Sequence, residues 1–341
     1  MTFLDMPMRI ALISDAWYPQ VNGVVRTLDT VRGELVAMGH TVTMVTPEQF
    51  KSIACPTYPE IRLSIDAPFT LAARLDAIGP THIHIATEGP LGWAARRYCM
   101  KRGLPFTTSF HTKFAELLKA RLRIPLKVTY ALLRRFHAPA RAVLVATPSM
   151  QRELHAHGFT NTALWTRGVD TVQFHPSDHY ETLLDYPRPI WLYVGRVSVE
   201  KNLDAFLRLP LAGTKLVVGE GPALKAMQTR YPGAVFAGVK RGEALRQHYA
   251  GSDVFVFPSK SDTFGLVMLE ALACGTPVAA YPVTGPRDVI TDVRAGALDD
   301  DLAMACATAL TLKRADCVDY AAGYSWRRCA EIFAQTLVKL H

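Results

Sequence analysis

The chain has 341 residues, of which 49% are hydrophobic and 20% are charged, and its formal net charge is +8. This composition suits two globular domains and excludes an intrinsically disordered protein. No apolar run approaches the roughly 20 residues that a membrane-spanning helix needs, which argues against an integral membrane protein.

Cysteine usage and the N-terminal residues predict a reducing, cytoplasmic environment. The six cysteines lie far apart without C-x-x-C or zinc-ligand spacing, so reduced thiols are expected. No small-residue cleavage site follows the first short apolar run, so no signal peptide is expected. Positive charge is concentrated between Lys113 and Arg135, where seven basic residues accompany one acid. An anionic partner such as a membrane surface, a nucleic acid or a phosphorylated substrate fits this cluster.

Apolar, β-branched runs alternate with helical patterns along the chain, which predicts α/β domains with parallel sheets. The first series of strands is predicted at Ile10–Ser14, Val42–Val45, Ile83–Ala86, Phe106–Ser109 and Val143–Ala146, with a helix from Val25 to Met38. The second series begins near residues 190, 215, 234, 254 and 277. We therefore predict two doubly wound, Rossmann-like domains, residues 1–168 and 190–322. A polar, proline-containing linker at 169–189 would join them, and a terminal amphipathic helix would lie in 323–341.

Polar residues follow several predicted strands of the first domain. Asn22 and Gly23 lie in the loop after the first strand, and Glu88 lies just beyond the third. His111 ends the fourth strand, where it could donate to or polarise a ligand hydroxyl, or be a packed core residue. His82 and His84 have no acid or Cys nearby at metal-ligand spacing, so we interpret both as structural.

The basic segment from Lys113 to Phe136 contains two short amphipathic helical patterns divided by Pro125. One interpretation is an apolar stripe packed on the sheet, with the basic residues on a solvated face. The other is an interfacial contact with an anionic membrane. The basic residues of this candidate surface are Lys119, Arg121, Arg123 and Lys127.

Two loops of the second domain carry features suited to phosphate binding. Gly195 ends the first strand of the series, Arg196 follows it, and Lys201 begins a helical pattern. Cations at a strand end and a helix start can stabilise a developing phosphate charge without a metal. The next strand leads into Gly219, Glu220 and Gly221, where the glycines either let a ligand approach the backbone or form a tight turn.

The segment from Asp253 to Val278 predicts a buried strand, a polar loop and a helix from Phe264 to Ala273. Asp262 lies in the loop and Glu270 lies in the helix. In an open α/β fold, such a loop and helix start lie at the ligand-binding edge of the sheet. The structural alternative makes Asp262 a helix cap, buries Phe264, Leu266 and Leu269, and leaves Glu270 exposed.

This segment resembles the E-x7-E signature of family 4 glycosyltransferases, with Asp262 in place of the first Glu. The family's Gly-Arg and Glu-Lys motif is matched by Gly195-Arg196 and Glu200-Lys201. The resemblance implies that Arg196 and Lys201 grip the diphosphate of a nucleotide sugar, that Asp262 holds sugar hydroxyls and that Glu270 holds the ribose.

The resemblance also assigns residues to the donor, the acceptor and the first-domain loop. His111 matches a family His beside the donor sugar, and Asn22 replaces the first Gly of a family Gly-Gly pair, a mild change if the position needs left-handed angles. Asn22 and Glu88 are candidates for the acceptor side. The donor-binding set is Gly23, Gly195, Gly219, Glu220, Gly221, Val239, Lys240, Phe264, Gly265 and Leu266.

Family membership implies the GT-B fold, an α/β architecture in which two Rossmann-like domains face an interdomain cleft and the last helix crosses back to the first domain. It implies a retaining hexosyltransferase in which the departing diphosphate accepts the acceptor's proton. No cofactor and no metal are expected, and Asp299–Asp301 is interpreted as a helix cap rather than a cation site.

The sequence leaves the donor and the acceptor open. A UDP-sugar is placed ahead of GDP-mannose, and the acceptor is a lipid such as a diacylglycerol or glycolipid, or a sugar. No nucleic acid partner is expected. We expect peripheral attachment to the inner face of the cell membrane. The alternatives are a sugar-nucleotide epimerase or hydrolase of the same fold, and a non-catalytic nucleotide-sugar-binding protein.

Overall fold

The structure is a computed structural model that describes residues 7–20, 22–55, 58–111, 124–177 and 185–340, without the side chains of residues 55 and 58–61. It divides into two compact units. Unit 1 comprises Met1–Arg167 and Trp326–His341, and unit 2 comprises Gly168–Ser325. Each unit is an α/β domain around a six-stranded sheet.

Unit 1 contains a main parallel sheet, a separate pair of strands and the helices that connect them. Its strands are β1 (Arg9–Ile13), β2 (Thr41–Val45), β3 (Ser52–Cys55), β4 (Tyr58–Ser64), β5 (His82–Ile85), β6 (Thr107–Phe110), β7 (Val143–Val145) and β8 (Thr162–Leu164). Its helices are α1 (Gly23–Ala37), α2 (Ala67–Ile78), α3 (Pro90–Arg102), α4 (Leu126–His137), α5 (Pro148–Ala156) and the C-terminal helix (Trp326–Thr336), with a 3₁₀ turn at Pro47–Gln49. The main sheet has the order β2-β1-β5-β6-β7-β8 with parallel pairing, and β3 and β4 form a separate antiparallel pair.

The alternation of side chains along β1 explains why helices cover both faces of this sheet. Ala11 and Ile13 join a core cluster with α2 and α3. Ile10 and Leu12 point to the opposite face and join a cluster with α1 and Phe333 of the C-terminal helix. Because both faces are apolar, the strand is a continuous hydrophobic run, as a buried parallel strand should be.

Unit 2 repeats the same plan. Its strands are β9 (Ile190–Val194), β10 (Thr214–Val218), β11 (Val235–Gly238), β12 (Val254–Phe257), β13 (Val278–Ala280) and β14 (Gly296–Leu298). Its helices are α6 (Leu203–Leu207), α7 (Leu224–Arg230), α8 (Gly242–Gly251), α9 (Leu266–Ala273), α10 (Pro286–Val289), α11 (Leu302–Ala309) and α12 (Arg314–Ala322), with a 3₁₀ turn at Val199–Lys201. The order β11-β10-β9-β12-β13-β14 is that of a doubly wound Rossmann fold.

Strand order locates the ligand-binding edge of each unit. In unit 1 the chain reverses direction across the sheet between β1 and β5, and in unit 2 between β9 and β12. Open α/β sheets bind ligands in the crevice outside the carboxyl ends of the strands at this switch point. In unit 2 the adjoining loops are residues 195–202 and 258–265, which contain Arg196, Lys201 and Asp262.

The strands predicted from sequence are all present, shifted by at most about one residue at several ends. The sequence did not predict the β3–β4 hairpin, β8 or β14. The predicted linker at 169–189 differs from the structure, which assigns the chain from Gly168 onward to unit 2. Val169 bonds within unit 2, donating its N–H to Tyr324 O over 2.9 Å, and Arg188 Nη1 lies 2.7 Å from Asp253 Oδ1. Hydrogen bonds and ion pairs between residues so distant in the chain cannot be predicted from a polar, proline-containing segment.

Candidate active site

Lys201 and Asp262 form an ion pair at the switch point of unit 2, with 2.5 Å between Nζ and Oδ1. Both side chains are half-buried. The other carboxylate oxygen, Asp262 Oδ2, is buried and has no hydrogen-bond partner among the described residues. Burying an unsatisfied carboxylate oxygen is costly, so this atom is suited to accept a hydrogen bond from a ligand hydroxyl.

The two loops that carry this pair are also tied by their backbones. Asn202 Nδ2 donates to Pro258 O over 3.0 Å, and Ser261 Oγ donates to Glu200 O over 3.2 Å. Asn202 has φ 54°, the left-handed conformation that asparagine tolerates better than most residues. Two further contacts between the loops therefore support the Lys201–Asp262 geometry.

Arg196 lies in the same loop, directly after Gly195. Its carbonyl oxygen accepts a hydrogen bond from Tyr193 Oη at 2.8 Å, and its side chain is exposed. Lys201 does not begin a helix as predicted: it ends the 3₁₀ turn, and α6 starts at Leu203. Arg196 and Lys201 therefore lie in the same short loop, at the carboxyl edge of the sheet.

Gly219 and Gly221 are required by the packing of one loop on another. Their φ angles are 138° and 158°, and an added Cβ would lie 1.9 Å from Gly195 O and 2.3 Å from Val197 O, respectively. Val197 N also donates to Glu220 O over 2.8 Å. This close backbone contact between the two loops accounts for both glycines whether or not a ligand approaches them. The sequence alone did not predict the contact.

The loop after β11 joins the same edge. Gly219 N donates to Gly238 O over 2.9 Å, so the turns after β10 and β11 are held side by side. Val239 is exposed and Lys240 is half-buried. These residues are placed where a ligand at the edge of the sheet would find an apolar contact and a cation.

Glu270 is buried inside unit 2. It lies on α9, is 3% exposed, and its Oε2 accepts a hydrogen bond from Tyr249 Oη at 2.8 Å. Helix α9 begins at Leu266, after the N-cap residue Gly265, and Phe264 is buried while Leu266 is only half-buried. The structural alternative is therefore wrong in two respects, since Asp262 does not cap this helix and Glu270 is not exposed.

Tyr249 was not found by sequence reasoning. It lies on α8, its side chain is fully buried, and it contacts the ring of Phe255 on β12. A buried tyrosine at helical spacing carries no signal that distinguishes a hydrogen-bonding role from packing. Its contact with Glu270 depends on the packing of α8 beside α9.

His111 in unit 1 has hydrogen bonds at both ring nitrogens. Nε2 lies 2.8 Å from Ser109 Oγ, and Nδ1 lies 3.3 Å from Arg167 Nη2. Burial, the Arg167 guanidinium and His84 hold the pKa of His111 well below its usual value. The ring is therefore neutral, and a ligand hydroxyl at either nitrogen would share that nitrogen with one of these partners.

The two other strand-end histidines differ in their surroundings. His84 is fully buried, with Nδ1 2.8 Å from Thr107 Oγ1 and Nε2 3.1 Å from Ser109 Oγ, and burial lowers its pKa to about 3. His82 is buried beside Thr81 Oγ1, 2.9 Å from its Nδ1, and burial lowers its pKa. Both occupy the hydrogen-bonded interior positions expected of structural histidines.

Glu88 lies after β5, half-buried and paired with a core histidine. His137 Nε2 is 3.1 Å from Glu88 Oε1, and His137 Nδ1 is 2.8 Å from Thr108 Oγ1. His137 is fully buried. The carboxylate of Glu88, the acceptor-side candidate, is thus oriented by the buried His137 of α4.

Asp15, which sequence reasoning did not single out, anchors the start of α3. Its carboxylate accepts bonds from Leu91 N and Gly92 N at 2.9 and 3.2 Å and from Thr87 Oγ1 at 2.9 Å. Burial nevertheless raises its pKa to about 6. An acidic residue two positions after a buried strand was the available signal.

The prediction that Asn22 suits left-handed backbone angles does not describe its role. Asn22 has φ −149° and is the N-cap of α1, where its side chain accepts from Val24 N and Val25 N at 3.0 Å. Gly23 is the first residue of that helix and is not among the positive-φ glycines. Helix capping, worth about 1 kcal/mol, therefore explains the asparagine.

Part of the basic segment can be placed. Lys119, Arg121 and Arg123 lie outside the described residues, whereas Lys127 is exposed on α4. Tyr130, Leu133 and Phe136 form the buried face of this helix, and Val128 and Leu132 remain 60% and 53% exposed on its outer face. Helix α4 thus packs on the sheet and also presents apolar side chains beside basic ones. None of the described helices is long and apolar enough to span a membrane.

The acidic run near residue 300 serves as a helix cap. Asp301 Oδ1 accepts from Ala303 N at 2.9 Å at the start of α11, as predicted. Within the described ranges, no cluster of three or more His, Cys, Asp or Glu side chains is arranged to hold a metal ion.

Comparison with known proteins identifies the family. Residues 21–173 match the model "Glycosyltransferase Family 4", and residues 188–312 match "Glycosyl transferases group 1". A GDP-mannose-dependent alpha-mannosyltransferase of Mycolicibacterium smegmatis is 30% identical over 328 residues, covering 88% of this chain and 86% of the relative. This chain is a family 4 glycosyltransferase.

Further similarities agree with this assignment. An alpha-monoglucosyldiacylglycerol synthase of Streptococcus pneumoniae is 28% identical over 352 residues, covering 89% of this family 4 glycosyltransferase and 78% of the relative. Sucrose-phosphate synthase of Thermosynechococcus elongatus matches the structure with a TM-score of 0.77 at 23% identity, covering 96% and 97% of the two chains. The fold class is GT-B, as predicted, and the protein is a hexosyltransferase that uses a nucleotide sugar.

Proposed function

We propose that this glycosyltransferase moves a hexose, with retention of configuration, from a nucleoside diphosphate sugar to a hydroxyl of a membrane lipid. The observation that carries the proposal is the Lys201–Asp262 pair at the switch point of unit 2, beside Arg196. This edge of a doubly wound sheet is where such folds bind nucleotides. It supplies two cations for the leaving group and a carboxylate for the sugar.

Arg196 and Lys201 would stabilise the leaving diphosphate. The bond from the sugar C1 to the diphosphate oxygen breaks, and a bond from C1 to the acceptor oxygen forms on the same face. The acceptor's proton passes to the departing phosphate oxygen, so atoms and charge balance without a protein nucleophile. Fixed cations act where negative charge develops, and we propose that they make a metal ion unnecessary.

Asp262 and Glu270 would bind the neutral parts of the donor. Asp262 Oδ2 is the buried oxygen that a sugar hydroxyl can satisfy while Oδ1 retains Lys201. Glu270, oriented by Tyr249, would accept from the ribose hydroxyls. Phe264 and the Gly238–Lys240 turn would flank the nucleotide, and His111 the sugar.

GDP-mannose is the donor to test first. The 30% identical relative is named as GDP-mannose-dependent, which supports GDP-mannose over the UDP-sugar that sequence reasoning placed ahead. The relative from Streptococcus pneumoniae carries a diacylglycerol product in its name, which supports a lipid acceptor. Glu88, held by His137, is the residue we propose to face that acceptor.

A lipid acceptor requires access to a membrane surface. Helix α4 offers Val128 and Leu132 beside Lys127, the composition of an interfacial contact. Each basic residue near anionic lipid adds about 1 kcal/mol, so a few such residues give reversible attachment. We propose that this helix, with the preceding basic residues, contacts an anionic membrane at the inner face of the cell membrane.

The first experiment measures thermal stabilisation by GDP-mannose, UDP-glucose and UDP-galactose, since a bound ligand stabilises the native state by mass action. The stabilising donor is then incubated with anionic vesicles containing diacylglycerol, with and without EDTA. We expect a glycolipid product whose anomeric configuration matches that of the donor, with turnover unaffected by EDTA. Epimerisation or hydrolysis of the donor without any glycolipid product would contradict transfer and support the epimerase or hydrolase alternative. Loss of turnover in EDTA that Mn²⁺ restores would contradict metal independence.

Membrane attachment is tested by co-sedimentation with anionic and neutral vesicles across a salt series. We expect binding that needs anionic lipid, weakens with salt and falls in a Lys119, Arg121, Arg123 and Lys127 to Gln variant. A matched variant with four exposed basic residues of unit 2 changed to Gln should still bind. The control residues are Arg208, Lys225, Arg230 and Arg241. Absence of binding to either vesicle type would exclude the membrane and favour a soluble acceptor.

A further inference from the structure

A continuous chain of hydrogen-bonded side chains crosses the sheet of unit 1 and ends at a buried arginine. Thr107 Oγ1 lies 2.8 Å from His84 Nδ1, and His84 Nε2 lies 3.1 Å from Ser109 Oγ. Ser109 Oγ lies 2.8 Å from His111 Nε2. His111 Nδ1 lies 3.3 Å from Arg167 Nη2. We refer to these five side chains as the histidine relay.

The chemistry of arginine fixes the direction of the last bond. A guanidinium has donors only, so Arg167 must donate and His111 Nδ1 must accept. A nitrogen that accepts carries no proton, so the ring proton of His111 lies on Nε2 and is donated to Ser109 Oγ. We propose that Arg167 is a positioning residue that holds His111 neutral, with its proton on Nε2 and its Nδ1 available only as an acceptor.

The rest of the relay is compatible with this arrangement. Ser109 Oγ is 3.3 Å from Ala86 O, so its single proton is donated either to that carbonyl or to His84 Nε2. In the first case His84 donates from Nε2 and accepts from Thr107; in the second it donates from Nδ1 to Thr107. His84 is neutral in both, and neither case returns a proton to His111 Nδ1.

The surroundings of Arg167 make it an effective barrier to protonation of His111. Arg167 is 4% exposed, its Nη1 donates to Trp165 O and Thr166 O at 2.6 and 3.2 Å, and its guanidinium lies 4.2 Å from the Trp165 ring. Within the described part of the chain no carboxylate pairs with it. Burial lowers the pKa of Arg167 to about 10, and Cys329 of the C-terminal helix acts in the opposite direction. A second positive charge on His111 would face an uncompensated buried cation.

Among the described residues, a second titratable group acts on His111 in the same direction. It is His84, whose own neutral state is favoured by burial and by His137. Arg167 and His84 both act in the same direction as burial of the His111 ring. The neutral form is therefore enforced by geometry, charge and desolvation together.

The consequence for catalysis rests on the proposed function, in which His111 flanks the donor sugar. While Arg167 stays bonded to Nδ1, a sugar hydroxyl that shares this nitrogen must donate to the ring, because Nδ1 has no proton to give. His111 then acts as an acceptor for that hydroxyl and does not act as a general acid. Of the two ligand contacts expected from the sequence, donating to a hydroxyl or polarising it, the proposal retains only the second.

The decisive experiment is NMR of the full chain with ¹⁵N-labelled histidine, recorded without donor from pH 5.5 to 8.5. A His111→Gln variant assigns the His111 signals. We expect wild-type Nδ1 to be unprotonated, Nε2 to be protonated, and neither to titrate above pH 5.5. In Arg167→Met we expect the pKa of His111 to rise towards its ordinary value, because the Arg167 charge is gone while burial of the ring remains, whereas Arg152→Met, which changes an exposed arginine of α5, should match the wild type.

A protonated Nδ1 in the wild type would overturn the proposal without any variant. Arg167→Met with an unchanged His111 titration would also overturn it. If Arg167→Met does not fold, Arg167→Gln takes its place: a carboxamide has a donor and an acceptor and no charge, so we expect a mixture of His111 tautomers. A single unchanged tautomer in Arg167→Gln would show that Arg167 does not position the ring.

Kinetics separates this proposal from the proposed function. With the donor that supports turnover, wild-type kcat should vary less than twofold between pH 8 and pH 6. In Arg167→Met it should fall by twofold or more, because His111 without the neighbouring Arg167 charge is more readily protonated. If the NMR results are as expected but no donor supports turnover, the proposed function is contradicted and the role of Arg167 is retained. If the enzyme turns over but Nδ1 of wild-type His111 is protonated, the role of Arg167 is contradicted and the proposed function is retained.

Discussion

Lys201 Nζ lies 2.5 Å from Asp262 Oδ1, across two loops that come from strands next to each other at the switch point of unit 2. The pair is half-buried and leaves Asp262 Oδ2 without a described partner. Lys201 is thus held by a carboxylate of the protein itself. A diphosphate that arrives at this edge would meet a lysine already oriented, and a sugar hydroxyl would meet an oxygen that lacks a hydrogen bond.

Removing either cation should slow transfer strongly. We expect Arg196→Ala and Lys201→Ala each to raise the barrier by roughly 3 kcal/mol, which is a hundredfold or more in kcat, because each removes charge stabilisation of the departing diphosphate. Initial rates with saturating donor give the measurement. Lys225→Ala, an exposed lysine on α7, is the matched control. Near wild-type turnover in either active-site variant would mean that the leaving group is stabilised elsewhere.

The charge of Asp262 should matter more than its length. Asp262→Asn removes the partner of Lys201 and the carboxylate that accepts from the sugar, so we expect kcat to fall at least tenfold. Asp262→Glu retains the charge and restores the family signature, so we expect activity within a fewfold of wild type. Steady-state kinetics of both variants is the test. Unchanged kinetics in Asp262→Asn would assign the sugar contact to another residue.

Tyr249 should act through Glu270. Loss of the hydroxyl in Tyr249→Phe leaves a buried carboxylate short of one donor, and bonds to charged groups contribute about 1.5–3 kcal/mol. We expect the donor KM to rise about tenfold with a smaller change in kcat, because the ribose contact is misplaced while the cations are intact. Tyr231→Phe also removes a tyrosine–carboxylate bond, to Asp204, and should leave the donor KM unchanged. Equal effects of both variants would point to lost stability alone.

Stability should fall with acid because His84 is buried neutral. Burial lowers its pKa from 6.5 to about 3 in the folded protein. The unfolded chain therefore binds more protons below pH 6.5, and the stability contributed by neutral His84 is lost as pH falls below that value. Between pH 7.5 and pH 5 the loss is about 2 kcal/mol.

Urea unfolding of wild type, His84→Asn and His155→Asn at both pH values isolates this contribution. The exposed His155 on α5 is the control and should leave the pH dependence unchanged. The wild type should lose about 2 kcal/mol more than His84→Asn on acidification. An identical pH dependence in His84→Asn would show that His84 is not the responsible group.

Much of the fold could be predicted from local patterns. Buried parallel strands such as β1 and β12 are continuous apolar runs, and their alternation with helices specifies a doubly wound sheet. The sequence did not predict β8 and β14, which contain no Val or Ile, unlike the equally short β7 and β13. It also placed a linker at 169–189, because hydrogen bonds such as that from Val169 N to Tyr324 O join residues distant in sequence.

The sequence by itself determined the residues of the candidate site, because a strand end, a glycine and a following charge are local features that parallel topology brings to one edge of a sheet. It could not determine their partners. That Lys201 holds Asp262, that Tyr249 holds Glu270 and that Arg167 donates to His111 depend on side chains 61, 21 and 56 residues apart in the chain. A hydrogen bond of about 3 Å requires positions fixed to a fraction of that distance, and only the packing of helices and loops on the sheet fixes them.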